Sequence, residues 1–131
     1  MKGFIRDIEE LTEGNTDFRR VVYTGKHLQL VLMSLEPGEE IGEEIHKKAD
    51  QFFLVQEGGG EVWIDGRMTK FKSDDAFVVR SGAKHNVINT DDTTLRLYTI
   101  YGGPQHPDGF VAATKVAATA SKEHFDGETT E

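Results

Sequence analysis

The chain has 131 residues, 37% of them apolar and 9% aromatic, enough for one globular domain with its own core. It contains no cysteine, which excludes thiolate metal sites, disulfides and cysteine nucleophiles. Its formal charge of −8 repels phosphate backbones and anionic lipid, so neither nucleic acid nor a membrane is an expected partner.

Met1 to Glu10 carries no apolar signal core and no run approaches membrane-span length, so a soluble cytoplasmic protein is expected. Short apolar runs then recur between turn signals, the pattern of an all-β sandwich or barrel. Leu28 to Leu35 is the first long run, stopped by Pro37-Gly38. Gln51 to Gln56 is the second, and Gly58-Gly59-Gly60 leads from it into Glu61 to Ile64. Asp65-Gly66 predicts a two-residue hairpin, because both turn positions need positive φ, and Arg67 to Phe71 pairs back. Ala76 to Val79 and His85 to Asn89 follow, separated by a turn at Ser81-Gly82. Leu95 to Tyr101 is the last clear strand, ended by Gly102-Gly103-Pro104. Thr114 is placed to cap a short helix over Lys115 to His124. The expected organisation is one domain over 1–131, with its core at 28–101 and an extension at 102–131.

The runs at 28–35 and 51–56 are apolar on both faces. A barrel wall needs one apolar face only. The second is expected to be covered by the terminal segments or by a second copy of the chain, and a homodimer is the expected assembly.

One constellation carries chemistry. Glu44 and His46 are two apart, so on a strand they point to one face. Lys47 to Asp50 is a polar break long enough for a turn, and it returns Gln51 beside them. His85 arrives from elsewhere. Oxygen and nitrogen donors at this spacing fit a metal site inside a small β-barrel.

These residues also resemble the cupin family of small double-stranded β-helix (jelly-roll) barrels. The family's first motif, G-x5-H-x-H-x3,4-E-x6-G, is matched by Gly38, Glu44, His46, Gln51 and Gly58. The second, G-x5-P-x-G-x2-H-x3-N, is matched by Gly82, His85 and Asn89, with Asp74 and Arg80 where Gly and Pro are usual. The chain is similar to small bacterial and archaeal cupins often labelled mannose-6-phosphate isomerase-like. The resemblance implies a metal held by Glu44, His46, Gln51 and His85. It departs from the family's three His and one Glu, since the first His is Glu44 and the Glu is Gln51. Two imidazoles, a carboxylate and an amide oxygen suit a divalent Zn, Mn or Fe ion with positions left open.

Around this set, Arg96, Tyr98, Tyr101 and His106 are the candidate substrate contacts, and Lys84 is a candidate for the pocket rim. Arg96 binds an anionic substrate if it faces inward and is an ordinary surface residue if outward. His106 lies in a Gly/Pro-rich segment past the last strand, where a barrel mouth could be lidded. His27 and His124 read as loop or surface residues. Three functions follow. The first is metal-assisted proton transfer, of isomerase or ring-opening type, on a small sugar-like molecule. The second is an Fe(II) dioxygenase. The third is a non-catalytic binding module.

Overall fold

In the computed structural model, which describes residues 2–131, the chain is a jelly roll of two facing antiparallel sheets. The chain opens with helix α1 (Ile8–Glu13), capped by the Asp7 side chain, which accepts from the Glu10 N–H. Strands β1 (Arg19–Thr24) and β2 (Gln29–Leu35) follow. Next come β3 (Glu44–Ile45), β4 (Gln51–Glu57), β5 (Gly59–Ile64) and β6 (Arg67–Lys72). Then come β7 (Ala76–Val79), β8 (Lys84–Ile88), β9 (Leu95–Tyr101), β10 (Val111–Ala112) and helix α2 (Lys115–Ala120). The larger sheet has the order β10-β1-β2-β9-β4-β7, the smaller β3-β8-β5-β6.

Alternation places the core. On β9, Leu95, Leu97, Thr99 and Tyr101 are buried between the sheets, and Arg96, Tyr98 and Ile100 point outward. On β4, Gln51, Phe53 and Val55 point inward in register with them. Val31, Met33 and Leu35 of β2 and Val62, Phe71 and Val87 of the smaller sheet complete the apolar interior. Phe53 stacks on Phe77 with ring centroids 4.7 Å apart.

The expected hairpin forms with φ of 49° at Asp65 and 82° at Gly66, the two positive values such a turn needs. Gly60 answers a different demand. A Cβ there would lie 2.2 Å from the Ile88 carbonyl oxygen, so only glycine lets β5 approach β8 this closely.

The expected all-β jelly roll forms, as two facing sheets with no strand pairing among the described residues joining one sheet's edge to the other's. One expectation is corrected. The C-terminal helix stops at Ala120 rather than His124, since Ser121 turns extended (φ −74°, ψ 136°) and the chain leaves to bond Phe125 N–H to the Gln105 carbonyl. Outside 28–101, β1 and β10 extend the larger sheet, and α1 packs on β4 and β9. Thr114 does cap α2, accepting from the Ala117 N–H at 3.1 Å. Among the described residues, no helix is long and apolar enough to cross a membrane.

Candidate functional site

The site lies at one end of the space between the sheets. One cross-strand row of the larger sheet carries Thr24, Gln29, Tyr101, Gln51 and Val79, in that order. All five are buried. Across from them, Glu44 of β3 pairs directly with His85 of β8. His46 follows β3, and its carbonyl accepts from the Gly82 N–H at 2.9 Å, which ties the two motif segments together.

Glu44, His46, Gln51 and His85 are thus brought to one region, as the spacing predicts. The His46 and His85 rings are 5.4 Å apart, and the His46 ring meets the Tyr101 ring edge-on at 5.2 Å. Glu44 Oε2 is 3.1 Å from His46 Nε2. Burial opposes ionisation of Glu44, but the contact with His46 and the nearby charge of Arg19 outweigh it and hold the carboxyl below its usual range.

Three further polar groups complete the region. Gln51 donates to Thr99 Oγ1 at 3.0 Å, and Thr99 in turn donates to the Phe52 carbonyl at 2.8 Å. His106 holds Glu123 on one side, with Nδ1 2.9 and 3.0 Å from its two carboxylate oxygens. On the other side its Nε2 is 3.3 Å from the Tyr101 hydroxyl. Burial lowers the His106 pKa, and Arg19 adds to the effect against the opposing pull of Glu123. Burial, reinforced by the Glu44 charge, raises the Tyr101 pKa far above the ordinary phenol value, so the hydroxyl keeps its proton.

The remaining candidates lie elsewhere. Arg96 takes the outward alternative: it pairs with Glu57 at 3.0 Å and donates to the Asn15 carbonyl at 3.1 Å. Tyr98 shares that outer face, beside Phe52. Lys84 points out and pairs with Glu43 at 2.7 Å. A hollow of about 260 Å³ between Trp63, Lys84 and Asn86 lies on that outer side.

Two residues of the site gave no signal in the motifs. Arg19 is a buried guanidinium whose Nη2 is 3.9 Å from Glu44 Oε1. Lys115 donates to the Ile41 carbonyl at 2.7 Å and sits over the Phe18 ring at 5.4 Å. With Glu44, His106 and Glu123 they line a cavity of about 370 Å³ at the mouth.

The donor chemistry fits a divalent ion. Gln51 Oε1 is buried without a partner, and buried His46 Nε2 makes no hydrogen bond beyond its 3.1 Å approach to Glu44 Oε2. Both belong to the predicted ligand set. His85 Nδ1 lies 3.1 Å from the Ala83 carbonyl, which fixes its proton there and leaves Nε2 as the free lone pair. The arrangement is not closed around an ion: among the described residues, no three His, Asp or Glu side chains converge closely enough to hold one. Ion binding would have to replace the Glu44–His46 contact.

Comparisons with known proteins bear on the family and the fold. Residues 31–101 match the family described as a cupin domain. An uncharacterised Bacillus subtilis protein, YrkC, is 44% identical over 132 aligned residues, 93% of this chain and 69% of its own length. The crystal structure of BH2720 from Bacillus halodurans superposes with a TM-score of 0.89 at 44% identity, covering 92% of this chain and 96% of that one. KdgF from Halomonas sp. has a TM-score of 0.58 at 23% identity, over 64% of this chain and 76% of its own, a likeness of fold alone.

Proposed function

Because the chain belongs to the cupin family, we propose that its mouth is a metal-dependent acid–base site for a small, oxygen-rich, sugar-like substrate. The observation that carries this reading is the pair of orphaned buried atoms, His46 Nε2 and Gln51 Oε1, beside an ionised Glu44. Buried polar atoms without partners cost stability, and a functional ligand is a reason to retain them. His46, His85, Gln51 and Glu44 would hold a divalent Zn, Mn or Fe ion. Such an ion supplies positive charge that polarises a substrate carbonyl or hydroxyl.

The chain's own groups supply the rest. Glu44 would accept the proton on leaving the ion: its side chain is a quarter exposed, and it stands on a two-residue strand at the sheet's edge. Tyr101 stays protonated and gives its proton to His106 Nε2, so its oxygen is free to accept a hydrogen bond from a substrate hydroxyl. His106, oriented by Glu123, fixes that hydroxyl. Phe53, Val79 and Ala83 belong to the buried apolar core behind these groups, with the Phe53 ring 6.5 Å from that of His85.

The test is turnover of metal-loaded protein on a panel of sugars, uronates and sugar phosphates. Glu44→Gln should lower turnover more than metal content, because a carboxylate accepts a proton and an amide does not. Oxygen uptake with Fe(II) and no turnover on the panel would favour the dioxygenase reading instead.

We also propose a homodimer, built on the outer face of the larger sheet. Phe52, Leu54, Tyr98 and Ile100 are only half-buried there, and Val78 beside Phe52 is 62% exposed. These side chains form one contiguous apolar surface, which a two-fold contact would cover. Sedimentation should give a dimer at micromolar concentration and a monomer for Leu54→Lys. A monomeric wild type overturns the proposal.

A further inference from the structure

We propose that Arg19 anchors a carboxylate of the substrate, so that the site takes a small hydroxy acid or sugar acid rather than a neutral sugar. The proposal rests on the pocket being the binding site described above, and it adds the substrate's charge.

Arg19 sits on β1 with its side chain between the sheets, opposite Met33. A guanidinium in that position is unusual, because a buried charge is costly unless paired and hydrogen-bonded. Here its Nε is buried with no hydrogen-bond partner. Its Nη2 stands 3.9 Å from Glu44, beyond hydrogen-bonding reach. Its side chain is 9% exposed and lines the same cavity as Glu44 and His106. The protein therefore holds an incompletely used fork of donors at the pocket wall.

The charge balance shows when an anion fits. Glu43 is neutralised on the outside by Lys84. The cavity wall then carries two cations, Arg19 and Lys115, against two carboxylates, Glu44 and Glu123. A divalent ion engaging Glu44 leaves the wall net positive and draws away the carboxylate that stands nearest Arg19 among the described residues.

The donor count favours carboxylate over phosphate. Lys115 gives one of its three donors to the Ile41 carbonyl, and both it and Arg19 lie over the Phe18 ring, at 5.4 and 5.5 Å. The ring contact leaves the in-plane donors of Arg19 free, and that planar fork matches the two oxygens of a carboxylate. A phosphate brings a third oxygen and a second charge close to Glu44 and Glu123.

The experiment is isothermal titration of the Zn(II)-loaded full chain with D-glucuronate, D-glucose, glycolate and D-glucose 6-phosphate. Glucuronate should bind at least about tenfold tighter than glucose, the share expected of one charged hydrogen-bonded pair. Glycolate should bind detectably, and the phosphate more weakly than glucuronate. Arg19→Gln should bring glucuronate down to the level of glucose, Arg19→Lys should keep part of the preference, and Arg80→Gln, a surface variant, should change nothing. If Arg19→Gln does not fold, Arg19→Lys carries the same comparison. Equal binding of glucuronate and glucose, absence of binding by either carboxylate, or an unchanged preference in the Arg19 variants overturns the proposal. Should the chain fail to load metal, the functional reading above fails, while titration of the metal-free protein with the same ligands still reports on Arg19.

Discussion

The Arg19–Glu44 pair offers a quantitative check on the charge arrangement at the mouth. Two unit charges 3.9 Å apart attract by about 4 kcal/mol at an effective dielectric constant of about 20. Glu44 is a quarter exposed, so water screens part of this. A net coupling of about 1–2 kcal/mol is expected after that discount. A chain of this length loses about 0.28 kcal/mol of stability per kelvin near its melting point, which converts the coupling to about 4–7 °C. The perturbation is Glu44→Gln, made once in the natural background and once in Arg19→Gln. Chelator-treated protein is the right material, because no ion then competes with Arg19 for Glu44. Thermal unfolding should show that Glu44→Gln lowers Tm by several degrees more when Arg19 is present than when it is Gln. Equal losses in the two backgrounds would refute the reasoning, since they would mean that the guanidinium does not feel the carboxylate.

Two other outcomes follow from the geometry. Gly60→Ala should destabilise by about 3 kcal/mol or fail to fold, because its Cβ would meet the Ile88 carbonyl at 2.2 Å and force β5 from β8; a neutral result in urea unfolding would contradict the strand register. Stability should also depend on acid. The folded His106 pKa lies below its ordinary value of 6.5, so below about pH 6.5 the unfolded chain binds a proton that the folded chain does not. Stability should therefore fall as the pH drops through that window, and His106→Gln should flatten the fall. The lowered Glu44 pKa adds a separate loss at lower pH, below about 4.5. Parallel profiles for wild type and His106→Gln from pH 7 to 5 would show that His106 is not the group responsible.

Much of the site was legible because it rests on local rules. Glu44 and His46 share a strand-like spacing, and the turn at Lys47 returns the chain at Gln51. Asp65-Gly66 fixes the hairpin that sets β5 beside β8. The strands from Leu28 to Tyr101 follow from alternation and turn residues, and all of them form within a residue or two of the expected ends. Alternation could also have separated Tyr98 from Tyr101. They are three apart, so on one strand they cannot face the same side, and the structure puts only Tyr101 in the pocket. Arg19 was not legible. A charged residue beside Arg20 reads as solvated, and its burial depends on β1 joining the sheet through pairings with β2 and β10. Glu123 and Lys115 were hidden for a similar reason. They reach the site from the segment that follows β10, and only the three-dimensional return of that segment brings Glu123 to His106. On the outer face of the larger sheet, Leu30 and Leu32 are buried while Val78 is open.

The central claim is that Glu44, His46, Gln51 and His85 form a metal centre. The most direct measurement is elemental analysis of the purified protein, made beside a His46→Ala, His85→Ala double variant whose fold is checked by circular dichroism. The account predicts close to one divalent ion per chain in the natural protein and almost none in the folded double variant. A folded double variant that keeps its ion, or a natural protein that takes up none when offered Zn, Mn and Fe(II), would contradict it.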